Sequence, residues 1–129
     1  MDKSSHTVAD LYRCRIHLHQ FTELPTLLSL SVVVENSGSL PWFCRMSDDF
    51  FLGYRVLDAY SKEVLKEGRH KLFAQIVPPG ESAQCNFRIQ LEELKTVDYL
   101  IVVDMVREHA FWFSEVSGQA FELVVGQSG

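Results

Sequence analysis

Trp42, Tyr54 and Trp112 supply aromatic faces, and Glu108, Arg55 and His109 supply polar atoms, in a set whose chemistry suits a hydroxyl-rich ligand. A Trp or Tyr face stacks on the apolar C–H face of a sugar while neighbouring carboxylates and amides hydrogen-bond its hydroxyls. Glu108, at the end of an apolar run, is the first candidate for a hydroxyl contact, with Arg55 and His109 behind it. Asp104 lies inside that run, where a carboxylate needs a partner. The planar guanidinium of Arg69 is the natural one, in a structural ion pair. Large aromatics are also packing residues, so the competing expectation is that Trp42 and the Trp112-Phe113 pair plug the open end of a core.

Catalytic chemistry finds less support. His17-x-His19 places two imidazoles on one wet face of a strand, a start for a zinc site, but no third ligand joins them. Neither a Gly-x-Ser-x-Gly elbow nor a phosphate-binding glycine loop occurs, and no histidine is brought to Cys44. The carboxylate pairs Asp48-Asp49 and Glu92-Glu93 are adjacent, which in a strand turns them to opposite faces rather than across a glycosidic bond. The expectation is a protein that is not an enzyme, with no catalytic or metal site and no cofactor.

At 129 residues the chain has the size of one domain, expected to span 1–129 with flexible ends at 1–9 and 127–129. With 47% hydrophobic and 22% charged residues it has the composition of a globular protein, not a disordered one. Twelve basic residues against seventeen acidic ones give a net charge of -5, and no Lys/Arg cluster exists to neutralise successive phosphates. That argues against nucleic acid and anionic membrane as partners and favours a neutral or weakly charged ligand. No apolar run has the length of a membrane span, and the first ten residues are polar, so neither a transmembrane helix nor a signal peptide is expected. The chain reads as cytoplasmic or as an excised piece. Cys14, Cys44 and Cys85 have no metal spacing and an odd count, and they read as thiols in a reducing compartment.

The elements that must position the candidate residues are strands. In residues 82–91, Ala83, Cys85, Phe87, Ile89 and Leu91 alternate with Gln84, Asn86, Arg88 and Gln90, so one face is buried and the other wet. Cys14, Ile16 and Leu18 alternate in the same way with Arg13, Arg15, His17 and His19, as do Leu28, Leu30, Val32 and Val34 with Ser29, Ser31 and Glu35. Residues 51–60 and 63–76 form a hairpin turning at Ser61-Lys62, the second strand bent at Gly68. Residues 99–106 are apolar on both faces, as in a central or doubly covered strand, and 120–125 complete seven. The one helical turn expected is 92–95. Gly and Pro fall between these runs, and the fold class is an all-β, immunoglobulin/fibronectin-III-like antiparallel β-sandwich of about seven strands. Tyr99 stands where such domains place a tyrosine whose hydroxyl pins the preceding corner. In an up-and-down alternation the long loop after strand two, the Pro78-Pro79-Gly80 connection and the loop after strand six share one end, which therefore collects both tryptophans.

A family resemblance rests on Asn36-Ser37-Gly38 with Trp42, Leu52-Gly53-Tyr54-Arg55, Gly68-Arg69, Val77-Pro78-Pro79-Gly80-Glu81, and Tyr99 through Asp104, Glu108 and Trp112-Phe113-Ser114 to Gly118. These residues, about two-thirds of the chain, resemble the immunoglobulin-like accessory domain of bacterial polysaccharide-biosynthesis proteins. The opening and the Pro-Gly turn also resemble the four-tryptophan domain of autophagy receptors, but the Asp104, Glu108, Trp112-Phe113 ending favours the bacterial group. The resemblance implies a domain appended to glycosyltransferases or to the ATPase subunits of O-antigen exporters, where the C-terminal β-sandwich recognises the glycan. Two departures bear on ligand preference: Arg55 where an aromatic is frequent, and Val97-Asp98 in place of the glycine before the Tyr99 corner.

Two readings follow. In one, the end loops bind a polysaccharide or oligosaccharide and the domain serves a transferase or exporter subunit. In the other, the domain docks a protein or forms a homodimer through the second apolar face of 99–106. A concave end rimmed by Trp42, Tyr54, Glu108 and Trp112 favours sugar, and a flat apolar sheet face with buried tryptophans favours docking.

Overall fold

A computed structural model describes residues 8–24, 26–44, 50–72, 74–91, 98–118 and 120–126. In chain order the elements are α1 (Val8–Leu11), β1 (Cys14–Leu24), β2 (Leu27–Asn36), β3 (Trp42–Phe43), β4 (Phe50–Asp58) and β5 (Val64–His70). They continue with β6 (Ile76–Val77), β7 (Ser82–Gln90), β8 (Tyr99–Arg107), β9 (Phe111–Trp112), α2 (Phe113–Ser117) and β10 (Phe121–Val125). The sheets β1-β2-β7 and β10-β8-β4-β5 are antiparallel and pack face to face as the expected sandwich. The two-residue strand β9 pairs with β8, and β3 pairs with β6 as a separate ribbon.

Alternation decides which side chains meet between the sheets. Leu28, Leu30, Val32 and Val34 of β2 and Ala83, Cys85, Phe87 and Ile89 of β7 point inward against Leu52, Tyr54 and Val56 of β4 and Ile101, Val103 and Met105 of β8. Burying each large aliphatic chain contributes about 1.5–3 kcal/mol, so a strand with four of them is held firmly in register.

In β1 the pattern changes phase. Leu18 pairs with Val32 but Gln20 pairs with Ser31, so His19 is the extra residue of a β-bulge. Beyond it Phe21, opposite Leu30, takes over the inward position. The bulge interrupts the regular wet face on which His17 and His19 were expected to stand together.

The strand expected over 63–76 is shorter. It ends at His70, and Ile76–Val77 pairs instead with Trp42–Phe43. Nor is Gly68 a bend: it lies directly opposite Tyr54, and a Cβ there would come within 2.4 Å of the phenol ring. Glycine at that site makes room for a ring that stacks on Phe87 at 5.6 Å. The irregularity of the β4–β5 pair falls at Val56/Leu57.

Two short helices, α1 and α2, occupy segments expected to be flexible or looped, while the helical turn expected at 92–95 and the ends 1–7 and 127–129 lie outside the described residues. The 92–97 corner lies outside them too. Tyr99, the proposed corner tyrosine, is fully buried with no partner for its hydroxyl among the described residues. Also among the described residues, no helix is long and apolar enough to cross a membrane.

One end of the sandwich gathers 37–44, 71–72, 74–81 and 108–118. Asn36, fully buried, ties the first two together: its Oδ1 accepts the Gly38 N–H (3.1 Å), and its Nδ2 donates to the carbonyls of Leu40 (2.8 Å) and Val77 (2.9 Å). Its main chain adds bonds from its N–H to Glu81 O and from Gly80 N–H to its carbonyl. A buried amide satisfied on both sides fixes the loop it belongs to. Above it, Phe113 sits fully buried within edge-to-face contact of Tyr12 (5.6 Å), Trp42 (5.6 Å) and Phe50 (6.4 Å).

Candidate functional site

Four of the six expected ligand-binding residues, Arg55, Glu108, His109 and Trp112, come together in a shallow cleft of about 300 Å³ beside the β8–β9 turn. The turn closes through Ala110 N–H to Arg107 O (3.1 Å) and carries exposed His109 at its tip, with φ of 63° in the left-handed region. Trp112 is brought onto the sheet by β9 and held by Glu115, whose Oε1 accepts its backbone N–H (3.2 Å). Gly53 leaves space for the indole, since a Cβ there would lie 2.8 Å from two ring atoms. The guanidiniums of Arg55 and Arg69 then lie 3.9 and 4.6 Å from the ring centroid. Sheet and guanidiniums together leave the ring 7% exposed, so no aromatic face is free for a sugar.

The arginines are themselves placed by carboxylates. Glu67 reaches Arg55 Nε at 3.2 Å and Arg69 Nη2 at 3.0 Å, and Glu108 accepts from Arg69 Nε at 3.1 and 3.3 Å. Glu108, the first candidate for a hydroxyl contact, is thus occupied in positioning Arg69. The expected pair of Arg69 with Asp104 is corrected: the Arg69 guanidinium is taken by Glu67, two residues away on its own strand, and by Glu108, and Asp104, across Gly53 in the same row, is held by backbone N–H groups instead.

Asp104 is fully buried where β8 runs beyond its last partner in β10, Val103 opposite Phe121. Its Oδ1 accepts the Met105 N–H (2.8 Å) and its Oδ2 the Ser114 N–H (2.8 Å), with Cys14 Sγ 3.9 Å away. Among the described residues it makes no ion pair. Burial pushes its carboxyl above the ordinary 3.8, only partly opposed by these hydrogen bonds. Burial, with the Asp104 carboxylate next, pushes the Cys14 thiol up to about 12, so that sulfur stays protonated and inert. All three cysteines are buried free thiols.

The raised carboxyl carries a pH signature. The folded state holds its proton to a higher pH than the unfolded chain, so between 3.8 and the raised folded value the native state binds more protons. The Asp104 contribution to stability therefore grows as pH falls through that window and shrinks as pH rises. Urea unfolding at stepped pH is expected to show wild type gaining stability relative to Asp104→Asn on acidification; parallel curves would refute it.

The other two candidates stand apart from the cleft. Tyr54 faces the intersheet core against Phe87 and His70, and Trp42 is fully buried against Phe113. The end of the sandwich is therefore plugged, not concave. The carboxylates Asp48, Asp49, Glu92 and Glu93 lie outside the described residues. No group of three metal-ligating side chains occurs among those described.

A groove of about 610 Å³ runs over the outer face of β1-β2-β7. Register puts Thr22, Ser29 and Arg88 in one row across its three strands and Gln20, Ser31 and Asn86 in the next. Gln84 Nε2 donates to Ser31 Oγ (3.0 Å) and to Asn86 Oδ1 (3.2 Å), joining neighbouring strands. His70 closes the rim, kept neutral to lower pH by burial beside Phe87 (5.2 Å). Among the described residues no carboxylate lines this groove. Alternation in the sequence marks His19, Ser29, Ser31, Gln84, Asn86 and Arg88 as wet-face positions, but it does not reach Gln20, Thr22 or His70 and does not assemble a surface. The available signal was compositional: amides and hydroxyls at 29, 31, 84 and 86, with acids absent between them.

No protein-family model matches the chain, and no curated protein matches it. Among solved structures, the β-glucosidase of Kluyveromyces marxianus is similar with TM-score 0.54 at 13% identity, over 91% of this chain and 14% of that one. Beta-glucosidase 3B of Thermotoga neapolitana is similar with TM-score 0.50 at 10% identity, over 92% of this chain and 16% of that one. The chain therefore spans a small part of each, and at these identities the likeness is one of fold.

Proposed function

We propose that this chain is a non-catalytic carbohydrate-recognition or accessory module of bacterial surface-polysaccharide (O-antigen type) biosynthesis or export, acting beside a transferase or exporter subunit in the cytoplasm. The observation that carries the reading is the groove on β1-β2-β7, lined by hydroxyls, amides, two imidazoles and the Arg88 guanidinium, with no carboxylate among the described residues. Such groups donate and accept in pairs, as the hydroxyls of a sugar do. The polysaccharide setting rests on the residues from Asn36 to Gly118 that resemble the bacterial accessory domains. The likeness to parts of β-glucosidases adds the fold only.

One observation favours the docking or dimerising alternative. On the outer face of β10-β8-β4-β5, Val124, Leu100, Leu57 and Val64 form an apolar row across all four strands, with Val124 68% and Val64 49% exposed. Both tryptophans are buried as well.

Calorimetric titration with O-antigen-type oligosaccharides separates the readings. Saturable heat is the expected result. Silence across the panel, together with a sedimentation mass that rises with concentration and is returned to monomer by Val124→Glu, would replace sugar recognition with self-association.

A further inference from the structure

We propose that the groove on β1-β2-β7 is a three-subsite site for a neutral glycan chain lying across the strands, one sugar residue per strand. This rests on the carbohydrate reading above and adds where the glycan lies, how long a stretch is read and in which direction.

Geometry sets the length. Adjacent strands are about 4.8 Å apart, close to the advance of an extended chain per pyranose residue, so three strands match three sugars. Successive outward positions along a strand are about 6.8 Å apart, so two rows of side chains can grip the two hydroxyl-bearing edges of a ring. Those rows are Thr22, Ser29 and Arg88 on one side and Gln20, Ser31 and Asn86 on the other. The bulge at His19 brings Gln20 and Thr22 into these rows, because it shifts the outward phase of β1 by one residue. Without it Phe21 would face the groove and Gln20 the core.

Chemistry sets the class. Gln84 engages the Oδ1 of Asn86 and the Oγ of Ser31, which fixes both side chains before a ligand arrives and leaves the Asn86 amide hydrogens available to it. Arg88 presents a planar fork suited to a pair of vicinal hydroxyls. With no carboxylate among the described residues of the lining, neither a cationic sugar nor a metal-bridged one finds a counter-charge in them. Discrimination rests on directed hydrogen bonds at fixed positions and does not require an aromatic platform.

The test uses ¹⁵N-labelled full chain titrated with linear manno-, gluco-, galacto- and rhamno-oligosaccharides of one to four residues, read from side-chain as well as backbone amides. Expected are shifts of the Gln20, Gln84 and Asn86 side-chain amides with an unmoved Trp112 indole, affinity that climbs to the trisaccharide and then levels, and little dependence on salt. Asn86→Ala and Arg88→Ala, both at exposed positions, are each expected to weaken binding about tenfold with an unchanged unfolding midpoint. Binding that shifts the Trp112 indole and the 108–111 amides while the groove stays still would overturn this placement and leave the carbohydrate reading standing. Affinity already complete with a monosaccharide would overturn the three-subsite geometry. Silence from every signal across all four series would overturn both.

Discussion

Trp42→Ala lowers the unfolding free energy by about 3–5 kcal/mol, a large part of the roughly 5–15 kcal/mol that a domain commonly has. The indole is fully buried, and it meets Phe113 edge-on at 5.6 Å and 80°. Its removal opens a cavity at the junction of β3, β6 and α2, which the backbone cannot collapse because Asn36 and Cys44 anchor the surrounding loops through Val77 O and Gln75 O. Trp42→Phe separates packing from polarity. The Trp42 Nε1–H has no hydrogen-bond partner among the described residues, so phenylalanine removes an unsatisfied donor as well as ring volume. Its cost is expected to be well under half that of alanine. Urea unfolding followed by circular dichroism, which does not depend on the deleted fluorophore, measures both. Equal costs would mean that the indole N–H contributes through a bond the geometry does not provide.

Gly38→Ala is the second large effect, about 3 kcal/mol, at the upper end of the overpacking range. A Cβ at this site would lie 2.4 Å from Leu11 O and 2.8 Å from Arg13 N, and both are backbone atoms with no rotamer to escape into. Relief requires the 10–13 segment to move off the loop, which breaks Ser37 N–H to Arg13 O (3.1 Å) and Ser39 N–H to Asp10 O (3.2 Å). Gly80→Ala is the control. Nothing lies within 4 Å of its Cβ position, but its φ of +86° carries the left-handed penalty of about 1–2 kcal/mol. A Gly38→Ala variant unfolding with the same midpoint as wild type would show that the N-terminal segment is not held against the loop at all.

These two effects explain much of the pattern that carries the family resemblance. Asn36 makes five hydrogen bonds to the loops around it, Gly38 admits the N-terminal backbone, Trp42 fills the end of the core, and Gly68 and Gly53 make room for the rings of Tyr54 and Trp112. The spacing of these residues records a scaffold. In contrast, Gln84, Asn86 and Arg88 look unremarkable in sequence, as the polar half of an alternating strand.

What the sequence by itself determined was the sandwich: the long strands, most of their inward faces and the gathering of loops at one end follow from the period of two and from where Gly and Pro interrupt it. These are local properties, legible residue by residue. Tertiary structure decided the site. Whether a tryptophan offers its face or buries it depends on what lies above the ring, and Arg55 and Arg69 arrive there from two different strands. Register alone puts Arg69 and Asp104 in one row on either side of Gly53, but Arg69 pairs with Glu67 of its own strand and with Glu108 beyond the end of β8, and Asp104 takes the N–H groups of Met105 and Ser114. The groove likewise needed the bulge at His19 and the adjacency of β1, β2 and β7, because a binding surface on a sheet is made across strands while alternation speaks only along them.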